Sequence, residues 1–205
     1  MAGLRTASAR GLTVIELMVV VALLGVLVAL AAPSLRGMIS AQRVRGVNAE
    51  LVTDLQYARS EAARRNRDVS VGFQADSTMS CYVAYVDVAV PPGAPASGAP
   101  VGAPASACDC TLSPVCSGGR QEIKTVLLPL SNGVSLGVTS TDGPVVIFSR
   151  TSGSLMPAIP GETAPNSFEV EVTGTPRGKL RTNVGMSGRP SVCSPDASIS
   201  GTPSC

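Results

Sequence analysis

Residues 17–32 contain no charged or strongly polar side chain, and Glu16 stands directly before them. At ~1.5 Å per residue, residues 12–32 reach about 30 Å as a helix, enough to cross a bilayer core. A carboxylate inside such a span is expensive and usually functional, so Glu16 requires a partner. Pro33 removes a link of the helical ladder and predicts a bend there. Beyond it, Val44, Val47, Leu51, Leu55, Ala58 and Ala62 recur at spacings of three and four. This is the stripe of an amphipathic helix. Glu61 and Arg65 form an i,i+4 pair on the opposite face. One helix over residues 12–65, bent near Pro33, is expected. Arg64, Arg65 and Arg67 then read as a solvated helix end whose cations complement the C-terminal dipole, with a binding patch as the alternative.

After Asp68 the period changes to two. Residues 69–73 and 81–86 alternate and read as strands, with Asp76-Ser77 as their turn. Residues 88–119 are rich in Pro, Gly, Ala and Ser, are too poor in large apolar side chains to pack, and predict an inserted surface loop. Strands resume at residues 123–128, 134–138, 145–148, 168–172 and 179–184. Turn signals lie between them at Asn132-Gly133, Asp142-Gly143-Pro144, Gly153 and Gly174. The tail from Ser187 to Cys205 is polar. One long helix followed by short antiparallel strands is an α+β order.

Composition changes this picture in three ways. Only six residues are aromatic and none is Trp, so the core is expected to be aliphatic. The 21 Gly and 16 Pro fit a β-rich, loop-rich body. His is absent, which removes the commonest general base and metal ligand. No G-x-S-x-G or metal motif occurs, and Glu169 and Glu171 read as exposed strand positions, so no enzyme, cofactor or metal is expected. The six cysteines, Cys81, Cys108, Cys110, Cys116, Cys193 and Cys205, all follow the apolar span. An even set in an exported chain points to disulfides, in any of 15 pairings. The C-x-C and Cys116 lack a fourth nearby ligand for a metal. Tethering of the loop by disulfides is the better reading, with Cys81 a candidate partner. A bridge from Cys193 to Cys205 would stabilise by roughly 3 kcal/mol.

The N-terminus has three readings. A cleaved secretory signal would use Arg5 and Arg10, an apolar region over residues 19–28 and the Ala29-Leu30-Ala31 site, but Glu16 interrupts it. A plain signal anchor explains the topology through Arg5 and Arg10 but not Glu16. The third uses every residue. Arg10-Gly11 followed by Leu12-Thr13-Val14-Ile15-Glu16-Leu17 resembles the type IV prepilin motif of type IV pilins and type II secretion pseudopilins. The resemblance implies cleavage between Gly11 and Leu12 by a prepilin peptidase that also methylates Leu12, where the family more often has Phe. It implies that Glu16 pairs with a neighbouring subunit's N-terminal amine during filament assembly. A buried anion is tolerable only when paired, and that amine has the right sign. Losing Arg5 and Arg10 with the leader leaves 14 of the 16 basic residues against 14 acidic ones, and no global case for a polyanion partner.

A narrower resemblance follows from Asn48-Ala49-Glu50-Leu51-Val52-Thr53-Asp54-Leu55-Gln56-Tyr57-Ala58-Arg59-Ser60-Glu61-Ala62, continuing to Arg65-Asn66, and from Phe148 with Gly153. These are similar to the helical arm and the F-x-x-x-x-G segment of the GspH/FimT family of minor pilins and pseudopilins. The resemblance implies a leader over residues 1–11, a membrane and assembly helix over 12–33, a helical arm over 34–67, and a periplasmic β-rich domain over 68–205. It implies a single pass of a bacterial inner membrane and other pilins or pseudopilins as filament partners. GspH-type members serve the type II secretion pseudopilus; some FimT-type members bind DNA through a C-terminal Gly-Arg-x-Arg loop. Here Gly188-Arg189-Pro190-Ser191 keeps the first half, and Ser191 removes one phosphate contact. Arg177, Lys179, Arg181 and Arg189 are the candidate DNA contacts, the first three expected on one strand face. A charged face or edge strand is the competing reading.

Overall fold

The computed structural model describes residues 13–87, 108–117, 119–140, 143–158 and 163–205, the side chains of 31–34 and 87 excepted. Gly11, Leu12 and residues 88–107 of the expected loop lie outside them, as do the side chains around the bend expected at Pro33. The chain divides into two units, Met1–Met38 and Ile39–Cys205.

Helix α1 runs Val14–Arg65. Its end is set locally. Asn66 takes a left-handed backbone, φ 52°. The Asn66 N–H donates to the Ala63 carbonyl at 3.3 Å and the Arg67 N–H to that of Ala62 at 3.1 Å. This Schellman closure satisfies carbonyls that the last turn leaves open. In the first unit the large apolar side chains from Val14 to Leu30 are exposed. No single helix among the described residues is long and apolar enough to cross a membrane. The stretches Val14–Leu30 and Leu35–Arg65 together pass that test by length and composition.

In the second unit nine strands form two antiparallel sheets among the described residues. The first holds β1 (Val69–Ala75), β2 (Met79–Asp87), β3 (Arg120–Pro129), β5 (Val145–Phe148) and β6 (Leu155–Met156), in the order β3-β2-β1-β5-β6. The second holds β4 (Val134–Val138), β7 (Ser167–Gly174), β8 (Lys179–Gly185) and β9 (Pro190–Cys193), in the order β4-β7-β8-β9. The β1–β2 turn lies where expected: Asp76 Oδ1 accepts from the N–H groups of Thr78 and Met79 at 2.6 and 2.8 Å. These bonds, the Thr78 backbone first, hold its carboxyl below the usual range.

The arm stripe, Val44, Leu51, Leu55, Ala58 and Ala62, is fully buried, with Val47 half-buried beside it. It shares one core with inward residues of both sheets, such as Val71, Phe73, Tyr82 and Phe148 from one and Leu136, Phe168, Val170 and Val184 from the other. Four of the six aromatics, Phe73, Tyr82, Phe148 and Phe168, belong to this core. The Phe73 ring lies 5.8 Å from Tyr82 and 5.6 Å from Phe168.

Four expectations need correction. Val69–Phe73 is buried at every position rather than alternately. The reason is that residues 108–116, expected to stay on the surface, cover the outer face of the first sheet. Cys108 and Cys110 form a second cluster there with Cys81, Val83 and Tyr85. Glu61 is buried rather than exposed opposite the stripe. Gly174 is no turn residue: it ends β7, where a Cβ would strike Val44 and Ser40 of the arm. The tail contributes β9 and a buried Ile199, so it is less polar in role than in composition.

Candidate functional site

Thr13 stands directly before helix α1. The Glu16 N–H donates to Thr13 Oγ1 at 3.3 Å, which makes Thr13 the N-cap of α1. Thr13 and Glu16 stand in the S/T-x-x-E order of a helix start. Reading Glu16 only as a charge seeking a partner missed this; the spacing to Thr13 was the available signal. Glu16 is exposed at the head of a helix whose apolar side chains are also exposed.

Within the second unit the arm is fixed to the sheets and loops by polar side chains placed along the helix. Ser40 donates to the Arg177 carbonyl. Arg43 donates to the Asn132 carbonyl at 3.1 Å, and Arg45 to that of Ser200 at 2.7 Å. Asn48 accepts the buried Thr182 hydroxyl at 2.8 Å. Asp54 accepts the Tyr82 hydroxyl and the Lys124 ammonium, each at 2.7 Å. Burial first, then the Asp54 contact, push the Tyr82 phenol far above its ordinary range, so it remains a neutral donor. Arg59 donates to the Gly153 carbonyl at 3.0 Å. At the helix end Glu61 accepts from Arg64 and Arg65 at 2.7 and 2.6 Å. The Arg64 hydrogen bond, then that of Arg65, hold its carboxyl at about 2. Asn48 and Asp54 thus tie one helix to both sheets. Both lie in the run that resembles the GspH/FimT arm, which assigned neither of them a partner. Their signal was a polar residue at stripe spacing.

The four basic residues proposed for nucleic acid are not brought together. Arg177 lies in the β7–β8 turn, not on a strand face. Lys179 and Arg181 do share the outer face of β8, an interior strand of its sheet. Both are committed to Glu171 on β7, at 3.2 and 2.7 Å, and Arg181 also reaches Glu169 at 3.4 Å. Burial works to raise the Glu171 carboxyl, but the hydrogen bonds from Arg181 and Lys179 outweigh it and hold it below its ordinary range. Their charges are therefore largely neutralised, and Glu169 and Glu171 are ion-pair partners. Arg189 is exposed in the β8–β9 hairpin, and among the described residues neither it nor Arg177 forms an ion pair. Gly188 before it has φ 73° and lies against the Gly153 carbonyl and Arg59, where a side chain has no room. That glycine has a packing reason independent of any ligand.

The six cysteines form three disulfides, Cys81–Cys110, Cys108–Cys116 and Cys193–Cys205. The first ties the covering loop to β2. Gln74 on β1 supports it by donating to the Cys108 carbonyl at 3.2 Å, and the Asp109 N–H closes on the Val115 carbonyl at 2.7 Å. Among the described residues no set of acidic or sulfur side chains is grouped to hold a metal.

A helix with an uncovered apolar head and an amphipathic arm laid on antiparallel sheets defines the class: a pilin-like protein of α+β fold. The chain matches the family model described as type II transport protein GspH over residues 48–188, and it belongs to that family. It is therefore a minor pilin or pseudopilin, a structural subunit that assembles with other pilins and not an enzyme. Among solved structures, the type IV minor pilin FimU of Pseudomonas aeruginosa is similar in two crystal forms. One is 17% identical with a TM-score of 0.47, covering 74% of this chain and 88% of that one. The other is 17% identical with a TM-score of 0.44, covering 72% and 90%. A comparison with curated proteins finds no match.

Proposed function

We propose that this chain is a GspH-like minor pseudopilin, a structural and assembly subunit of the periplasmic pseudopilus of a type II secretion system. The observation that carries the reading is the GspH match over residues 48–188, which covers the arm from Asn48 onward and every strand except β9. In this reading residues 1–11 are a leader removed after Gly11 by a prepilin peptidase that methylates Leu12. The apolar helix is held in the bacterial inner membrane with the second unit in the periplasm. Glu16, exposed on the first turn, is the anion that a neighbouring subunit's terminal amine neutralises as the helices bundle. Mass spectrometry of the protein from its host should give a mature chain beginning at Leu12 and carrying one added methyl. Glu16→Ala should leave the second unit folded and its disulfides formed while the subunit fails to enter the filament. A chain beginning at Met1 or at Ala32 would overturn the reading. Deletion of the gene should block release of folded substrates into the medium.

A second reading, a FimT-like type IV pilus subunit that binds DNA, is favoured by one feature: the exposed Arg189 in Gly188-Arg189-Pro190-Ser191. A gel shift of duplex DNA that Arg189→Glu weakens would support it. An absent or unchanged shift would remove it.

A further inference from the structure

We propose that the Arg43, Arg45 and Arg177 end of the second unit is a docking surface for anionic phospholipid headgroups, which holds the domain against the membrane before assembly. The inference rests on the membrane-anchor reading of the apolar helix. Three loops converge on helix positions 40–45. Gly178 lies close to Ala41, Val44 and Ile199, and Gly133 to Thr175 and Arg43. Arg43 is exposed, Arg45 is half-exposed and Arg177 is exposed. These three arginines, like Arg59 and Arg189, meet no carboxylate among the described residues. Elsewhere on the unit, Arg64, Arg65, Lys124, Arg150, Lys179 and Arg181 meet carboxylates. Arg43 and Arg45 instead donate to the Asn132 and Ser200 carbonyls, with Ser200 Oγ a second acceptor for Arg45, so their guanidinium groups are oriented but keep their charge.

Beside Arg177 is an open cleft of about 480 Å³ lined also by Thr173, Lys179, Asp196 and Ser198. Lys179 is neutralised by Glu171, and Asp196 subtracts one charge from the three arginines, leaving a net of about two. The Asp196 carboxylate is exposed but engaged locally, accepting from the Ser198 N–H at 3.1 Å and the Ser194 hydroxyl at 3.3 Å. The position in the chain selects the occupant. Ile39 opens this unit directly after the stretch whose apolar side chains are exposed, so this is the end the membrane-embedded chain enters. Near an anionic leaflet each net cation is worth roughly fivefold in partitioning, so two give on the order of 30-fold.

The test places the full-length protein, one copy per disc, in lipid nanodiscs. One set is phosphatidylcholine alone and the other contains about 30% phosphatidylglycerol, enough to impose a negative surface potential. Amide hydrogen exchange is read over residues 175–179 and 196–201. The expected result is exchange slower by on the order of tenfold in the anionic discs, reversed at high salt. Because Arg43 and Arg45 also hold loops, two variants are used. Arg177→Gln, which removes no contact seen within the protein, should recover part of the rate. R43Q/R45Q/R177Q should recover all of it with exchange in β7 and β8 unchanged. Equal rates in the two discs, or slowing that survives the triple variant, would overturn the proposal. So would slowing that appears only with two copies per disc, which would assign the arginines to a neighbouring subunit's carboxylates. A chain that enters neither disc would instead sink the membrane-anchor reading and this proposal with it.

Discussion

Asn48→Ala should destabilise the second unit by about 2 kcal/mol. Thr182 has no exposed surface and Asn48 is 3% exposed, and the Thr182 hydroxyl donates to Asn48 Oδ1 at 2.8 Å. Truncating Asn48 leaves that hydroxyl buried among Val170, Val172, Leu180 and Val184 without its acceptor, a penalty of about 1–3 kcal/mol. Removing both partners while keeping the shape has a much smaller effect: N48L/T182V should lie within about 1 kcal/mol of the parent. The assay is urea unfolding of the disulfide-intact, detergent-solubilised chain, followed by the fluorescence of its tyrosines, two of which, Tyr82 and Tyr85, are buried. With a slope of about 2 kcal/mol/M, the Asn48→Ala midpoint should fall by about 1 M without a change in slope. The coupling between the two positions should exceed about 1 kcal/mol. A single-variant loss below about 0.5 kcal/mol, or additivity within about 0.3 kcal/mol, would show that this bond does not hold the arm to the second sheet.

Glu61→Gln should destabilise at neutral pH. Its carboxyl falls from the ordinary 4.5 to about 2 on folding, so its contribution is fully present above about pH 4.5 and is lost as pH falls towards about 2. The full shift corresponds to about 3 kcal/mol, and with Arg64 65% exposed, screening leaves about 1–2 kcal/mol. Stability curves of parent and variant that stay parallel from pH 7 to about pH 2 would contradict this. Gly174→Ala should push the arm from the second sheet, because the new methyl meets Val44 and Ser40; a loss of about 1–3 kcal/mol in the same titration is expected, and a neutral outcome would refute the close approach. C193S/C205S opens a bridge of sequence separation 12 and should lower stability by roughly 3 kcal/mol while exposing Ile199 to faster exchange of the tail amides; an unchanged tail would mean that β9 and its packing suffice.

The sequence by itself determined the elements whose signals are local. A 3.6-residue stripe from Val44 to Ala62 can bury only one way, and it is the face that packs. Strict alternation in β7 and β8 set both the strands and their inward residues. Even the loop cysteines were legible as tethers, because their even number and position after the apolar span admit few other roles.

Tertiary structure decided what depends on neighbours far along the chain. The partners of Lys179 and Arg181 are carboxylates on an adjacent strand, so charges that read as a patch in sequence are largely cancelled in space. The burial of Glu61, and the covering of β1 by residues near Cys108 and Cys110, arise from contacts that no periodicity encodes. Asn48 and Asp54 look like flaws in an apolar stripe until Thr182, Tyr82 and Lys124 are brought to them. A period reports which face of an element turns inward. Which polar group waits on that face is fixed only when distant segments meet, since a buried donor is tolerable only beside its acceptor.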